Sequence, residues 1–407
     1  MKIAKVPIII LIINVLSIST IAQNLISTEF RATYSKFATN LIIGQNAKYE
    51  VDEYYVNYTT TDLNGNPTTV SGLFWIPNVP SEAPIAIYDH GTVTKRNEVP
   101  SENSFEKFIG LHIASQGYFT AMPDYIGLGI NQNFHPYLHG ETQATSGLDI
   151  IRALREHLDA DTSSQYGNEV YITGYSQGGH AAMATSKYVQ QNQLENEFKI
   201  AGVYSGSGPY HLSGAQALEL LKDMEYSAQA FLPYVILSYQ AAYGNIYNSL
   251  SDVFQSPYDV GLDTLFDGTH SLDEINSYLP NKVSEYLNPS FLTNMLQDST
   301  TKSSPLWQAL LANDNYNWVP NSPHRLLSCV GDETVFPVNT YEALQFMTAA
   351  SAPVDTVEGG NLGHVDCAGV FLSEVTFYFG LHSGINGTKF SLVTVRYLHQ
   401  SLSSSHH

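Results

Sequence analysis

A serine framed by glycines is the first group in this sequence with the setting for chemistry. Residues Gly174-Tyr175-Ser176-Gln177-Gly178 spell Gly-x-Ser-x-Gly. Alone the pattern says little, because glycine and serine are common. Its surroundings say more: the apolar run Val170 to Thr173 leads straight into it, and the small-residue segment Gly178 to Ser186 can start a helix. A serine on a tight strand-to-helix turn is held in a strained backbone with its hydroxyl exposed. Glycines two before and two after let neighbouring backbones pass without a Cβ clash. The chemistry expected of Ser176 is nucleophilic acyl transfer; the plainer alternative is a loop serine in a glycine turn.

A serine hydroxyl attacks only if a base takes its proton and a carboxylate holds that base in the right tautomer. On such a turn both partners follow the serine in the chain. Of the fourteen histidines, His364 is the candidate base: it lies in Gly359-Gly360-Asn361-Leu362-Gly363-His364, a glycine-rich loop after the last apolar run and before the helical stretch Ala368 to Leu381. Asp332, at the end of the penultimate run, is the candidate acid, with Glu333 its close competitor. Asp124 precedes the serine and is expected to be a structural hydrogen-bonding carboxylate. Asp366 is expected to cap the helix after His364. An oxyanion needs two N–H donors. Gln177, after the nucleophile, supplies the first; the second comes from the turn Asp89-His90-Gly91-Thr92, from Gly91 or Thr92, with His90 read as structural.

Two cysteines, Cys329 and Cys367, stand three residues before Asp332 and three after His364. If acid and base meet, a disulfide between the cysteines would pin them together; the alternative is two buried free thiols. No His and Cys cluster has zinc spacing, no Gly-x-Gly-x-x-Gly opens a strand, and there is no phosphate-loop lysine, so neither metal nor cofactor is expected. Asn57 and Asn386 stand in glycan-acceptor triplets.

The elements that must position these groups follow from apolar runs. Ser27 to Ile43 reads as a short helix, then Tyr49 to Thr60 and Thr68 to Ile76 as strands joined around Asn64-Gly65. Short apolar runs then alternate with helical stretches: Ile85 to Tyr88, Tyr118 to Met122, Val170 to Thr173, Ala201 to Tyr204, Leu326 to Val330 and Val354 to Val357. That alternation predicts an α/β fold, a mostly parallel sheet with helices on both faces. Ile150, Ile151, Leu154 and Leu158 recur at helical spacing between Thr145 and Asp159. From residue 210 to 324 no strand run occurs, and short amphipathic segments rich in Leu, Tyr and Phe follow one another. This reads as a helical cap inserted between core parts 23–209 and 325–407 rather than as a separate helical domain, because strand runs resume after it.

The start differs in kind. Two lysines, an almost wholly apolar Val6 to Ile18 and Thr20-Ile21-Ala22 read as a secretory signal peptide over residues 1–22, too short for a membrane anchor. The mature chain is expected to begin near Gln23, without a transmembrane segment, outside the cell or in a periplasm. The whole chain of 407 residues carries a formal net charge of −20, and −22 once the two signal lysines are gone. Such a surface repels phosphate backbones, so nucleic acid is excluded as a partner. With 43% hydrophobic residues and 27 tyrosines the chain can bury a large core and still offer aromatic rings to a ligand.

With these residues in view the chain resembles the secretory lipase family of α/β-hydrolases, the lipase A type. The likeness lies in Tyr88-Asp89-His90-Gly91-Thr92, Pro123 to Gly129, Gly174 to Gly179, Ser207-Gly208-Pro209-Tyr210, Asp332-Glu333-Thr334-Val335 and Gly363-His364. It implies an α/β-hydrolase fold with a helical cap before the acid, Ser176, Asp332 and His364 as nucleophile, acid and base, and hydrolysis of acyl esters, often lipidic. One departure stands out: Val335-Phe336-Pro337, where the family usually has Val-Pro. The expected function is an exported serine esterase or lipase. A peptidase with the same triad is the second reading, and a non-catalytic binding protein on a hydrolase scaffold the third.

Overall fold

The computed structural model describes residues 23–44, 46–161 and 164–385. The expected signal peptide at 1–22 and the acceptor triplet at Asn386 lie outside the described residues. Nine strands, β1 (Leu25–Tyr34), β2 (Val51–Thr61), β3 (Pro67–Pro77), β4 (Ala83–Asp89), β5 (Phe119–Pro123), β6 (Tyr166–Tyr175), β7 (Lys199–Gly206), β8 (His324–Ser328) and β9 (Val354–Glu358), form one sheet in the order β1-β2-β3-β5-β4-β6-β7-β8-β9. The first three are antiparallel to their neighbours. The run from β5 through β4 and β6 to β9 is parallel.

Four helices precede β7: α1 (Lys36–Ile43), α2 (Lys107–Ser115), α3 (Gly140–Ala160) and α4 (Gln177–Gln191). Between β7 and β8 lie α5 (Ala217–Leu220), α6 (Phe231–Tyr243), α7 (Leu250–Val253), α8 (Leu272–Tyr278), α9 (Pro289–Gln297) and α10 (Pro305–Ala312). Then α11 (Val338–Ala349) follows β8 and α12 (His364–Ser383) follows β9.

Side chains alternate across a strand, so a strand covered on both faces is apolar throughout. In β6, Val170 and Ile172 join a core with the expected stripe Ile150, Ile151, Leu154 and Leu158 of α3. Tyr171 and Tyr175 point the other way, into a core with Leu111 of α2 and Phe371 and Phe379 of α12. The helices between β7 and β8 bury a third core of their own, around Tyr234, Ile236, Trp307 and Leu310.

The expected helix from Ser27 to Ile43 is half a strand. Its first part is β1, paired antiparallel along β2. Thr28, Phe30, Thr33 and Tyr34 suit a pleated surface, and the open hydrogen-bonding edge of β2 outweighs local helix propensity. The helix starts only where Ser35 Oγ accepts the N–H of Ala38, and that is α1. The Asn64-Gly65 turn joins β2 to β3 as expected, with Gly65 at φ 78° and Asp62 Oδ1 accepting from the N–H of Asn64 and of Asn66.

Polar bonds fasten the helical segment to the sheet domain. Gly140 N–H donates to Asn313 Oδ1 at 2.8 Å, Lys187 Nζ donates to Asp314 O at 2.6 Å, and His180 Nε2 lies 2.9 Å from Asn313 O. Ser238 Oγ of α6 donates to His135 O and accepts from Tyr137 N–H. His135 is itself buried: its Nδ1–H donates to Ile126 O at 2.7 Å, and its Nε2 faces the Gln177 side-chain amide at 2.8 Å. Among the described residues no helix is long and apolar enough to cross a membrane.

Burial pushes the His135 imidazole down to about 3, so it stays neutral in the fold while an unfolded histidine takes a proton near 6.5. Its contribution is fully present above pH 6.5 and is lost as pH falls towards 3. Chemical denaturation of wild type and His135→Gln across pH 7.5 to 4 should show wild type losing stability relative to the variant below pH 6.5, by up to about 1.4 kcal/mol per pH unit.

Candidate active site

The chain turns sharply from β6 into α4 at Ser176, which has φ 58° and ψ −120° and is almost fully buried. A non-glycine residue there is strained by about 1–3 kcal/mol, sustained only by the packing around it. That packing is backbone against backbone. A Cβ on Gly178 would strike the carbonyl oxygen of Asp89 at the end of β4, and one on Gly174 would strike the carbonyl of Gly178. Ser176 N–H is held by Gly206 O of β7 at 2.9 Å. The serine hydroxyl thus stands at the carboxyl end of the parallel sheet, on the first turn of α4.

Asp332 and His364 meet it there, from the chain just after β8 and the start of α12. His364 Nδ1 lies 2.8 and 3.0 Å from the two Asp332 carboxylate oxygens, and Nε2 lies 2.9 Å from Ser176 Oγ. A carboxylate can only accept, so Nδ1 carries the proton, and Nε2 is left to accept from the serine hydroxyl. Asp332 is itself fixed, because its Oδ1 also accepts the N–H groups of Thr334 and Val335.

Glu333, the competing acid, holds a different part of the same histidine: Oε2 accepts the backbone N–H of His364 at 3.1 Å. Tyr175 Oη donates to the His364 carbonyl at 2.6 Å. Ring, N–H and C=O of one residue are each gripped by a separate side chain. Sequence reading expected His364 in a loop with Asp366 as helix cap. Instead α12 begins at His364 with Gly363 as N-cap, and Asp366 lies within the first turn. The carboxylate of Glu333 serves one of the free N–H groups of that terminus from outside, so the helix can start earlier.

Among the expected oxyanion donors, Gln177 opens α4 beside Ser176. Gly91 N–H is already engaged, 3.1 and 3.3 Å from the Glu106 carboxylate oxygens. Thr92 lines the same cavity as Ser176 and His364, and its Oγ1 bonds Tyr137 Oη at 2.9 Å. Nearby, Asp124 accepts from the hydroxyls of Ser71 and Ser101 and from Ser101 N–H, a structural carboxylate clamping the chain after β5. His90 bridges Gly91 O and Asp124 O in that framework. Asp89 is wholly buried beneath the turn, and burial pushes its carboxyl well above the ordinary range, with Tyr125 Oη as its hydrogen-bond donor. Sequence reading passed over Glu106, Tyr175 and His135. Tyr175 sits inside the Gly-x-Ser-x-Gly motif, but nothing in the pattern says where its hydroxyl reaches.

Two cavities open from Ser176. The first, about 780 Å³, runs under the helical segment between Leu212, Val235, Leu306 and Leu310. The second, about 1320 Å³ including its mouth, contains His364, Thr92, Glu106, Phe105 and Phe371.

The Val335-Phe336-Pro337 departure is fastened rather than loose, since Thr334 O accepts from both Gln216 Nε2 and Tyr226 Oη of the helical segment. Cys329 and Cys367 are joined in a buried disulfide spanning 38 positions, which ties the Asp332 turn to the first turn of α12. The double variant Cys329→Ser/Cys367→Ser should lose about 2–4 kcal/mol of unfolding free energy relative to the oxidised protein, measured by denaturant titration.

Comparison with known proteins bears on the family and the fold. The model of the family described as secretory lipase matches residues 103–367, well over half of the chain. Among solved structures, the rice cell wall degrading esterase LipA from Xanthomonas oryzae is 25% identical with a TM-score of 0.77, covering 95% of this chain and 100% of its own. A protein from Legionella pneumophila is 25% identical with a TM-score of 0.79, over 93% and 98% of the two chains. Candida antarctica lipase A in its closed state, 16% identical, shares the fold with a TM-score of 0.64 over 94% and 91%. No protein of curated function matches at a significant level. The family model spans well over half of the chain and these structures share its fold, so the chain belongs to the secretory lipase family of α/β-hydrolases and is a carboxylic ester hydrolase.

Proposed function

We propose that this is an exported serine esterase or lipase that works through an acyl-enzyme on Ser176. The observation that carries the reading is the hydrogen-bonded line from Asp332 through His364 to Ser176 Oγ, with bonds of 2.8 and 2.9 Å. In the first half-reaction His364 Nε2 takes the Ser176 proton as Oγ attacks the ester carbonyl, and then delivers it to the departing alkoxide. In the second half, Nε2 draws a proton from water, whose oxygen attacks the acyl carbon, and the imidazolium then returns that proton to Ser176 Oγ as the acyl–Oγ bond breaks and the acid leaves. Asp332 keeps the ring in the tautomer that leaves Nε2 free, and stabilises the imidazolium in each half. The N–H groups of Gln177 and Thr92 receive the negative charge on the carbonyl oxygen; the engagement of Gly91 N–H by Glu106 favours Thr92 over Gly91. Export rests on the leader-like residues 1–22, and the segment expected as the cap, residues 210–324, whose last residue opens β8, covers the first cavity.

The two cavities divide the ester. The leaving oxygen takes its proton from His364, so the alcohol part lies on the side where His364 is exposed, which is the second cavity. The acyl chain then runs into the first, among Leu212, Val235, Leu306 and Leu310. The apolar lining of that channel favours acyl groups with a hydrocarbon chain, at roughly 0.8 kcal/mol per buried methylene.

Fluorophosphonate labelling followed by peptide mapping should mark Ser176 in wild type and nothing in Ser176→Ala. That variant and His364→Ala should each lose on the order of ten-thousandfold in kcat on p-nitrophenyl esters. A Ser176→Ala protein with undiminished ester hydrolysis would overturn the assignment. In a panel of acyl lengths, Val235→Trp should cut kcat/KM for dodecanoyl and longer esters by about tenfold or more while sparing acetyl and butyryl esters, since added ring volume blocks the channel beyond the first few carbons.

A further inference from the structure

Glu106 immediately precedes α2 and has no part in the reaction as derived, yet its carboxylate faces the same cavity as Ser176 and His364. It makes three hydrogen bonds towards the turn after β4. Tyr88 Oη donates to Oε2 at 2.7 Å, and Gly91 N–H is shared between Oε2 and Oε1 at 3.1 and 3.3 Å. Its own N–H donates to Ser104 Oγ at 3.1 Å, which fixes the chain that carries it. On the other side of the same turn, Thr92 Oγ1 bonds Tyr137 Oη. The turn is therefore held at two successive residues from opposite walls, Gly91 by a carboxylate and Thr92 by a phenol.

Such a turn needs holding. A glycine peptide rotates easily, and an oxyanion donor is effective only if it already points at the position the charge will take. A bond from N–H to carboxylate is charge-assisted and stronger than one to a neutral acceptor. A Cβ on Gly91 would come within 3.2 Å of Glu106 Oε1, so this contact is close on both sides.

We propose that Glu106 is a positioning residue for the oxyanion donor: by occupying Gly91 N–H it fixes the peptides on either side of Gly91 and leaves the Thr92 N–H aimed at the carbonyl oxygen of the substrate. The inference rests on the serine reading above. Glu106 acts on the reacting atoms only through the backbone of residues 91 and 92. The feature it predicts is a loss of transition-state binding with little change in substrate binding.

The test compares Glu106→Ala, Glu106→Gln and Tyr88→Phe with wild type in the full chain. Readouts are kcat and KM on p-nitrophenyl butyrate, the inhibition constant of butylboronic acid, whose tetrahedral serine adduct places an oxygen in the oxyanion hole, and the melting temperature. Glu106→Ala should lower kcat about tenfold to a hundredfold at nearly constant KM and weaken the boronate by a similar factor. Glu106→Gln, whose amide oxygen still accepts from Gly91 N–H, should recover most of both. Tyr88→Phe, which leaves the Gly91 bond in place, should lose a few-fold at most, and it keeps the question answerable if the alanine variant folds poorly. Unchanged kcat and boronate inhibition in Glu106→Ala would overturn the proposal. So would a fall in kcat that tracks melting temperature alone, with glutamine no better than alanine. Failure of wild type to label at Ser176 would instead overturn the serine reading itself, which separates the two.

Discussion

The structure turns on a collision that does not happen. Where β6 gives way to α4, the backbone of Gly178 lies so close to the Asp89 carbonyl that no Cβ fits between them. This contact presses the helix start against the end of β4 and forces Ser176 to φ 58°, a conformation that a serine adopts only under such pressure. The strain lifts the hydroxyl clear of the sheet and leaves the first N–H groups of α4 without intrahelical partners beside it. The position of the Ser176 hydroxyl and of the helix N–H groups beside it is therefore set by one constraint. Asp89 is wholly buried at the end of β4, and burial pushes its carboxyl well above the ordinary range.

A second constraint acts on His364. Its ring, amide and carbonyl are bound by Asp332, Glu333 and Tyr175, and the disulfide holds the chain three residues further on. Adjacent acidic residues divide the work: the shorter side chain reaches the imidazole and the longer one reaches the backbone. The acid loop is in turn bonded through Thr334 O to Gln216 and Tyr226, which stand in the helical segment. Asp332, His364 and the roof of the first cavity are thus linked by one chain of bonds. The extra phenylalanine at 336 belongs to this junction, packing towards the Tyr226 ring.

How far the sequence could be read follows from which interactions are local. Strands β4 to β9 and the stripe on α3 were legible because burial on two faces writes itself as continuous or helically spaced apolar residues. Ser176, His364 and Asp332 were legible because their turns carry glycines or follow strand runs, and the structure brings all three within hydrogen-bonding distance. β1 was not, since its side chains are mostly exposed and its reason to be a strand is the edge of β2, whose paired residues lie 17 to 33 positions further along the chain. The start of α12 was misread for the same reason: the group that serves its first N–H comes from Glu333, thirty-one residues earlier. Glu106 carries no signature at all. A glutamate before a helix is ordinary, and only the fold reveals that its carboxylate meets Gly91.

The division of the site into two cavities has a structural cause in the way the helical segment is anchored. Asn313, Asp314 and Asn315 are buried and bonded to α3, to α4 and to the chain after β7, so the far end of the segment is locked to the core. The near end, around Phe231 at the start of α6, lines both cavities and lies over Ser176. The channel under α6 and α10 is walled for the most part by aliphatic side chains such as Leu212, Val235, Leu306 and Leu310, and only Val335, Gln216 and Tyr226 among its walls belong to the bonds that hold the Asp332 turn. Changes in those aliphatic walls alter what fits without disturbing the hydrogen-bonded line beneath. The opposite holds for the second cavity, whose walls include Glu106, Thr92, Tyr175 and Phe371, residues that also support the donor turn and the base. On the proposed serine reading, the aliphatic lining of the first cavity can vary with little effect on that line, whereas the second cavity shares its walls with Glu106, Thr92 and Tyr175.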